Sequence, residues 1–217
     1  MAKITISKQN TKLGKIPSFS LPTISTCPGA TSWCSKACYA AKVERIYKNA
    51  KKSYEENYKA TEEASFVDQM DIVIKKLLAK NILTMRLHVS GDIFSIKYVY
   101  DLIKIAKNNP TMKFYSYTRS WRLSNFLPHL EILRSQPNVE LFASLDDEIL
   151  ALKILPPNTW RVSYVGLHDI NMFSSLVSRQ TIICPNQVHK KMLCDTCKFC
   201  FNDKLKTTTR SVYFIQH

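Results

Sequence analysis

Glycine, acidic residues and long apolar runs are scarce in this chain of 217 residues. With four glycines in all, the chain offers no glycine-rich loop for cradling a cofactor. No apolar run reaches the ~18 residues that a membrane span requires, and the N-terminal stretch MAKITISKQNTK lacks the apolar core of a signal peptide. The sequence therefore predicts a cytoplasmic protein without a membrane partner, in a compartment that keeps thiols reduced.

The shortage of acidic residues makes the chain strongly basic. It has 17 Asp and Glu against 31 Lys and Arg, and a formal net charge of +14. Such a charge favours binding to nucleic acid or another polyanion. Lysine accounts for 23 of the 31 cations, and its ammonium group is a point charge without the planar fork of arginine. A lysine-coated surface with no polyanion partner explains the composition equally well.

Cysteine is a reactive residue type that the chain does have in quantity. Seven cysteines in a reducing compartment favour metal ligation over disulfides, and an odd number cannot pair completely. They fall into two sets near the two ends of the chain. The N-terminal set lies within residues 26–40 and has the spacing C-x6-C-x3-C: Cys27, Cys34 and Cys38. The C-terminal set has the spacing C-x9-C-x2-C-x2-C: Cys184, Cys194, Cys197 and Cys200.

These spacings favour iron–sulfur clusters. The C-x2-C-x2-C run lets one short loop supply three corners of a [4Fe–4S] cluster, as in ferredoxins, and Cys184 can supply the fourth. In the N-terminal set, Cys34 and Cys38 are four residues apart and share one side of a helical turn. Three cysteines would leave one iron of a second cluster open to a small ligand. Two alternatives remain, namely a structural zinc at the C-terminal set or one cluster shared by both ends.

Strand-like and helix-like segments alternate between the two sets, which predicts a mainly parallel α/β sheet with crossover helices. The predicted strands cover residues 3–7, 85–90, 113–118, 139–144, 160–165 and 181–184, with a further edge strand at 211–216. The predicted helices cover residues 40–64, 66–80, 96–107, 123–134 and 148–154. No linker divides the chain, so we expect one domain. Residues 1–183 would form a partial β/α barrel, with the cysteine-rich segment 184–217 packed on it.

Polar side chains collect at or just after the predicted carboxyl ends of the strands, where parallel α/β folds bind ligands. They are Asp92, Arg119, Asp146, His168 and Cys184. Asp146 is also typical of a helix N-cap. Arg119 and Arg122 flank Trp121, and they either grip a phosphate or a base or form a salt bridge beside a packed indole. His88 lies within a predicted strand, which favours a hydrogen-bonded core histidine.

Several segments resemble one known family, in the same order along the chain. They are TCPGATSWCSKACYA, HVSGDIFS, FYSYTRSWR, LFASLDD, WRVSYV, and CPNQ ahead of C-x2-C-x2-C. These segments are similar to the gene-product-88-type proteins of bacteriophages and mobile elements. More distantly, the layout resembles that of radical S-adenosylmethionine enzymes.

The more distant resemblance implies a partial (β/α)6 TIM-like barrel with a [4Fe–4S] cluster on Cys27, Cys34 and Cys38. It implies that Ser90, Gly91 and Asp92 bind the cofactor, with Asp92 holding the amino group of S-adenosylmethionine. Asp92 and Arg119 would be the catalytic residues, and Arg119 would contact a carboxylate or phosphate. The C-terminal cysteines would hold an auxiliary cluster that relays electrons or binds substrate.

Three functional hypotheses follow. The first is a redox or radical enzyme of phage origin, with an open iron–sulfur cluster and a reductase as partner. The second is a nucleic-acid-binding protein or nuclease in which the clusters stabilise the fold and the basic surface binds the polyanion. The third is a zinc-stapled protein that interacts with a host factor. In each case a phage-encoded chain would act in the host cytoplasm.

Overall fold

The computed structural model describes residues 3–8, 10–189, 191–202 and 208–215. Within this part of the chain, seven strands form a single sheet in which every neighbouring pair is parallel. The strands are β1 Ser18–Phe19, β2 Thr84–Leu87, β3 Lys113–Thr118, β4 Val139–Leu145, β5 Arg161–Gly166, β6 Thr181–Ile183 and β7 Ser211–Ile215. Their order across the sheet is β1-β2-β3-β4-β5-β7-β6.

The predicted single α/β domain with a parallel sheet is confirmed, but the barrel is not. The sheet has seven strands, and β1 and β6 are its two edges in the described part of the chain. These edges do not pair with each other there, so the sheet stays open.

Ten α-helices lie in the described residues, and most follow a strand or connect two strands. They are α1 Ser32–Lys36, α2 Tyr39–Ile46, α3 Lys48–Glu62, α4 Phe66–Leu78, α5 Ile96–Asn108, α6 Leu127–Arg134, α7 Asp147–Ala151, α8 Ile170–Val177, α9 Pro185–Val188 and α10 Cys194–Cys197. Short 3-10 turns cover Ser120–Arg122 and Phe199–Phe201. None of the helices in the described residues has the length and apolar character needed to cross a bilayer.

The outer face of the sheet packs against the long helices and forms the main core. Met85, Phe114 and Leu141 point from β2, β3 and β4 into this core, where they meet buried side chains such as Ile74 and Leu102 of α4 and α5. Burial of these apolar side chains supplies the main stabilisation of the layer.

The inner face of the sheet is aromatic and charged. Strand register places Arg86 beside Tyr115, Tyr117 beside Phe142, and Phe142 beside Arg161. Residues 10–16 and the cysteine-rich segment cover this face. Tyr115 and Arg161 are therefore buried and Arg86 and Tyr117 half-buried, and this face lies next to the C-terminal cysteines.

The strand predicted at residues 3–7 is wrong. Ser7 forms an isolated antiparallel bridge with Ser18. Asn57 binds the backbone of Thr5 in both directions, with Oδ1 accepting from the amide at 2.7 Å and Nδ2 donating to the carbonyl at 2.9 Å. Because a side chain satisfies these backbone groups, the segment needs no neighbouring strand, and the first strand is β1.

Two other predicted elements differ from the structure. The helix predicted at 40–64 breaks at Tyr47, whose backbone is extended (φ −106°, ψ 91°), so that α2 and α3 pack separately. The strand predicted at the edge, 211–216, instead lies between β5 and β6; its last residue falls outside the described residues. Val212 packs on the inner face and Tyr213 on the outer one, as is typical of a strand buried on both faces.

Candidate metal centres

The N-terminal cysteine loop is fastened to the segment after β4. Thr31 caps α1, because its Oγ1 accepts from the Cys34 amide at 2.9 Å, and it donates to Oδ2 of Asp146 at 2.7 Å. Ser32 Oγ donates to Oε2 of Glu148 at 2.6 Å. Thr31 and Asp146 are both buried. This polar junction fixes the start of the helical turn that carries Cys34.

A second anchor joins the same loop to the end of β3. Arg122 Nη1 donates to the Gly29 carbonyl at 3.0 Å. A Cβ atom at Gly29 would lie 2.7 Å from the Ser120 nitrogen and would collide with the Arg119 carbonyl. Gly29 therefore packs directly against the backbone of Arg119 and Ser120, and this contact sets the path of the chain after Cys27.

Three predicted site residues meet at the carboxyl ends of neighbouring strands. The Arg119 amide donates to Oδ2 of Asp92 at 2.8 Å, and Arg119 Nε donates to Oδ2 of Asp146 at 3.1 Å. All three residues interact electrostatically with Cys34, and Asp92 also does so with Cys27. The structure thus brings the N-terminal thiols together with two carboxylates and one guanidinium.

The Ser90–Gly91–Asp92 triplet holds the segment that leads into the cysteine loop. Ser90 Oγ lies 2.8 Å from the Leu21 carbonyl, and the Leu21 amide donates to the Ser90 carbonyl at 2.9 Å. Gly91 has φ +79°, and a Cβ atom there would lie 2.6 Å from Thr26 Oγ1. The Asp92 amide donates to the Thr26 carbonyl at 3.1 Å. The polar groups of this triplet are largely used within the protein.

Burial disfavours the thiolate form of two N-terminal thiols, Cys27 and Cys34. Burial, followed by the Asp92 charge, raises the pKa of Cys27 from 9.0 to about 12. Burial also raises the pKa of Cys34, although Arg119 opposes the rise. Burial raises the pKa of Asp92 against hydrogen bonds from Thr118 and the Arg119 amide. A metal that binds here must therefore displace thiol protons.

The four C-terminal cysteines line one cavity on the inner face of the sheet, together with apolar side chains such as Phe199 and Val212. Tyr117 Oη donates to the Cys200 sulfur at 2.9 Å. Burial raises the pKa of Cys200 to about 12 even though this hydrogen bond opposes the rise. The Cys184 amide donates to the Tyr213 carbonyl at 2.8 Å, which ties this cysteine to β7.

Both cysteine sets have buried donors that lack acceptors among the described residues. At the C-terminal set, Arg86 Nε is such an atom, and both Arg86 and Tyr115 interact electrostatically with Cys194. At the other set, Arg119 Nη2 is buried without a partner, and Arg119 interacts with Cys34. A buried donor without an acceptor is costly. An anionic group held on thiolates would supply acceptors, so these surroundings fit a thiolate-bound cluster.

Neither set forms a ready-made site for a single ion. In residues 3–8, 10–189, 191–202 and 208–215, no three or more His, Cys, Asp or Glu side chains are arranged so that they could hold one metal ion. All seven cysteines are free.

The expectation that both sets lie at one edge of the sheet is wrong for most of the C-terminal set. Cys194, Cys197 and Cys200 pack over the middle of the inner face, against residues such as Tyr117. The apolar side chains of the segment, such as Phe199, are buried there. That burial draws the cysteines away from the strand ends.

Several interpretations of single residues are confirmed. Asp146 caps α7, with Oδ1 accepting from the Ile149 amide at 3.1 Å. Arg119 forms the salt bridge described above, and Trp121 is buried with Nε1 donating to the Ser144 carbonyl at 3.2 Å. His88 is a buried core residue hydrogen-bonded to Tyr98. His168 lies beside Asp147, with 3.7 Å between Nε2 and Oδ1.

Sequence reasoning missed Thr31, Arg86, Tyr115 and Tyr117. The last three could have been found from strand alternation, since Tyr115 and Tyr117 are two residues apart in β3 and must share a face. Arg86 is polar in a strand whose neighbours Met85 and Leu87 are buried. Thr31 stands directly before the turn that carries Cys34, which is a capping position.

Comparisons with known proteins indicate the family. The sequence model of a family described as "Gene product 88" matches residues 2–203. The chain is 28% identical over 150 residues to the gene 88 protein of Mycobacterium phage L5, covering 64% of this chain and 61% of that protein. It is 26% identical over 149 residues to the gene 88 protein of Mycobacterium phage D29, covering 64% and 60%.

The matched region thus spans about 60% of the length of these curated relatives. No solved structure matches the chain. Because the family model covers nearly the whole chain, the protein belongs to the gene-product-88 family.

Proposed function

We propose that this chain is an iron–sulfur protein of bacteriophage origin that carries one [4Fe–4S] cluster at each cysteine set. The observation that carries the proposal is the pairing of each thiol set with a buried donor that lacks an acceptor, namely Arg119 Nη2 at one set and Arg86 Nε at the other. Thiolate-bound clusters are anionic and accept hydrogen bonds at sulfur. The donors would then be satisfied when a cluster is bound.

The arrangement of the thiols favours a cluster over a single zinc ion. Zinc needs four ligands within bonding distance of one point, and the described residues offer no such group. A four-iron cluster binds each thiolate through a different iron, so its ligands stand farther apart. The C-terminal four cysteines, which line one cavity, could supply one thiolate for each iron.

The N-terminal set supplies three thiolates and would leave one iron open. Such an iron, when the cluster is bound, offers a Lewis-acidic or one-electron centre. Arg119 would orient a carboxylate or phosphate group there through its unpartnered Nη2, while Asp146 fixes the guanidinium through Nε. S-adenosylmethionine is the first ligand to test. Its amino group would have to share Asp92 with the Arg119 amide.

The test is anaerobic reconstitution with iron and sulfide, followed by reduction with dithionite. We expect a paramagnetic signal from each reduced cluster, and the N-terminal signal should change when S-adenosylmethionine is added. Release of 5′-deoxyadenosine would support radical chemistry. If clusters form but their signals do not change when S-adenosylmethionine is added, the radical proposal is wrong and the iron–sulfur proposal still holds. A protein that takes up no iron and sulfide would overturn both.

A second candidate function is nucleic-acid binding at a basic surface beside the N-terminal cysteines. This surface consists of exposed cations on and next to α2 and α3: Lys36, Lys42, Arg45, Lys48, Lys51 and Lys52. Tyr47, 61% exposed, lies among them and offers a ring for stacking on a base. Aromatic and cationic side chains on one surface are typical of proteins that bind single strands.

Charge-neutralising variants test this surface. Lys42, Lys48 and Lys52 are changed to Gln together, and the matched control changes Lys75, Lys76 and Lys80, which are exposed on or just after α4. If the surface binds a single-stranded DNA oligonucleotide, the first triple variant loses affinity and salt dependence and the control does not. Equal loss in the two variants would contradict a specific surface.

A further inference from the structure

Arg86 and Arg161 are two arginines on the inner face of the sheet with opposite surroundings. Arg161 donates to Oε1 of Glu140 at 3.2 Å, to the Arg210 carbonyl at 2.8 Å and to the Phe199 carbonyl at 3.1 Å. Arg86 makes no side-chain hydrogen bond or ion pair with any described residue, and its Nε is buried. Arg86 is half-buried, so an anion beside it would stabilise its unpaired charge.

The neighbours of Arg86 show where that anion would lie. Its guanidinium carbon is 4.9 Å from the ring centre of Tyr117 and 6.0 Å from that of Tyr115. Tyr117 in turn donates to the Cys200 sulfur at 2.9 Å. Cys194 also interacts electrostatically with Arg86. The charge, the two tyrosines and the two sulfurs therefore form one contiguous group over β2 and β3.

The charges differ between the two cysteine sets. The C-terminal thiols interact with the cations Arg86 and Lys12, and with Arg161, whose charge is balanced by Glu140. The N-terminal thiols interact with Asp92 and Asp146 as well as with Arg119. A cation stabilises the more negative, reduced form of a nearby cluster, and a carboxylate destabilises it.

We propose that Arg86 is a positioning residue that neutralises the anionic cluster on the C-terminal cysteines and raises its reduction potential. This inference rests on the proposed iron–sulfur function. Arg86 acts through its fixed charge, which interacts with Cys194, and through Tyr117, whose ring faces its guanidinium group at 4.9 Å. A higher potential would let a cluster on the C-terminal cysteines accept an electron more readily.

The experiment uses the full chain with Cys27, Cys34 and Cys38 changed to Ser, so that the C-terminal cluster gives the only signal. Reduction potentials are measured by mediated redox titration in this parent and in Arg86→Gln, Arg86→Lys and Lys15→Gln. Lys15 is exposed and lies next to the same segment, since its amide donates to Asp195 at 2.9 Å. It therefore controls for loss of a surface charge, which solvent screens.

We expect Arg86→Gln to lower the ratio of reduced to oxidised cluster at a fixed potential about tenfold, which is 59 mV for a one-electron couple. Arg86→Lys should retain most of the parental potential, and Lys15→Gln all of it. If R86Q holds no cluster while R86K holds one, the result also supports the proposal that the positive charge at this position stabilises the cluster. The inference would be overturned if the potential of R86Q equals that of the parent, or if R86K has the same potential as R86Q. It would also be overturned if R86Q fails to fold.

The failure of this inference can be told apart from failure of the proposed function. If the wild-type chain and the parent hold no iron and sulfide, the iron–sulfur function fails before any Arg86 variant is compared. If both hold clusters and R86Q titrates like its parent, only the role of Arg86 is wrong.

Discussion

The backbone amide of Arg119 donates a 2.8 Å hydrogen bond to Oδ2 of Asp92, and so joins the end of β3 to the end of β2. Oδ1 of the same carboxylate accepts from the Ile93 amide at 2.7 Å. Asp92 is buried. The residue that the resemblance assigns to a cofactor therefore also holds two strand ends in place.

Replacing Asp92 tests this structural role. Asp92→Ala leaves two backbone amides without acceptors, so we expect the free energy of unfolding to fall by about 1–3 kcal/mol. Asp92→Asn keeps one side-chain carbonyl and should lose less. Urea unfolding of the metal-free protein measures both values. An alanine variant as stable as the wild type would show that the carboxylate is free for a ligand.

His88 makes the stability depend on pH. Burial, followed by the Arg86 charge, lowers the pKa of His88 from 6.5 to about 3. Below pH 6.5 the unfolded chain binds the proton and the folded one does not, so acidification favours unfolding by about 1.4 kcal/mol per pH unit down to about pH 3. Asn tolerates the positive φ of 62° at this position. His88→Asn should remove this contribution to the pH dependence of the free energy of unfolding.

The measurement is the difference in unfolding free energy between wild type and H88N at several pH values. Carboxylates titrate in both proteins and largely cancel in the difference. We expect the wild-type free energy of unfolding minus that of H88N to increase steadily as the pH rises from 4 toward 6.5. Parallel curves over this range would mean that His88 is not held neutral in the fold.

Gly29 should tolerate no side chain. A methyl group there would collide with the Arg119 carbonyl, and the loop would have to move away from β3. We expect Gly29→Ala to destabilise the protein by about 1–3 kcal/mol and to reduce iron uptake at the N-terminal set. Lys36→Ala, at an exposed position of α1, is the control. Normal uptake in G29A would show that the loop path is unimportant for metal binding.

The two cysteine sets should act independently. Serine in place of Cys27, Cys34 and Cys38 should remove about half of the bound iron and sulfide, as should serine in place of the C-terminal four. Iron content per folded chain measures this. If either variant loses all iron, the chain holds one cluster shared by both ends.

Much of the fold follows from local patterns in the sequence. Short β-branched and aromatic runs such as those of β3 and β4 are bounded by turn residues, and their alternation with helices predicts a parallel sheet. The position of β7 could not be predicted this way. Ser211–Ile215 is the last strand in the chain, yet it lies between β5 and β6. That order is set by packing of Val212 and Tyr213 on opposite faces, a long-range effect.

The candidate site was predicted in part. Asp92, Arg119 and Asp146 follow adjacent strands, so the parallel topology brings them together with the N-terminal loop. The inner-face group of Arg86, Tyr115 and Tyr117 depends on strand register and on the folding back of the cysteine-rich segment. Neither is encoded in a local spacing. The α8 helix was also missed, although Asp169 caps it and Ile170, Phe173 and Val177 follow at helical spacing.

Quantification of iron and acid-labile sulfide in anaerobically purified protein tests the central claim most directly. Two [4Fe–4S] clusters predict about eight iron and about eight sulfide per chain, together with broad visible absorption that dithionite bleaches. A colourless protein that contains zinc, or one that contains neither metal nor sulfide after reconstitution, would contradict the account.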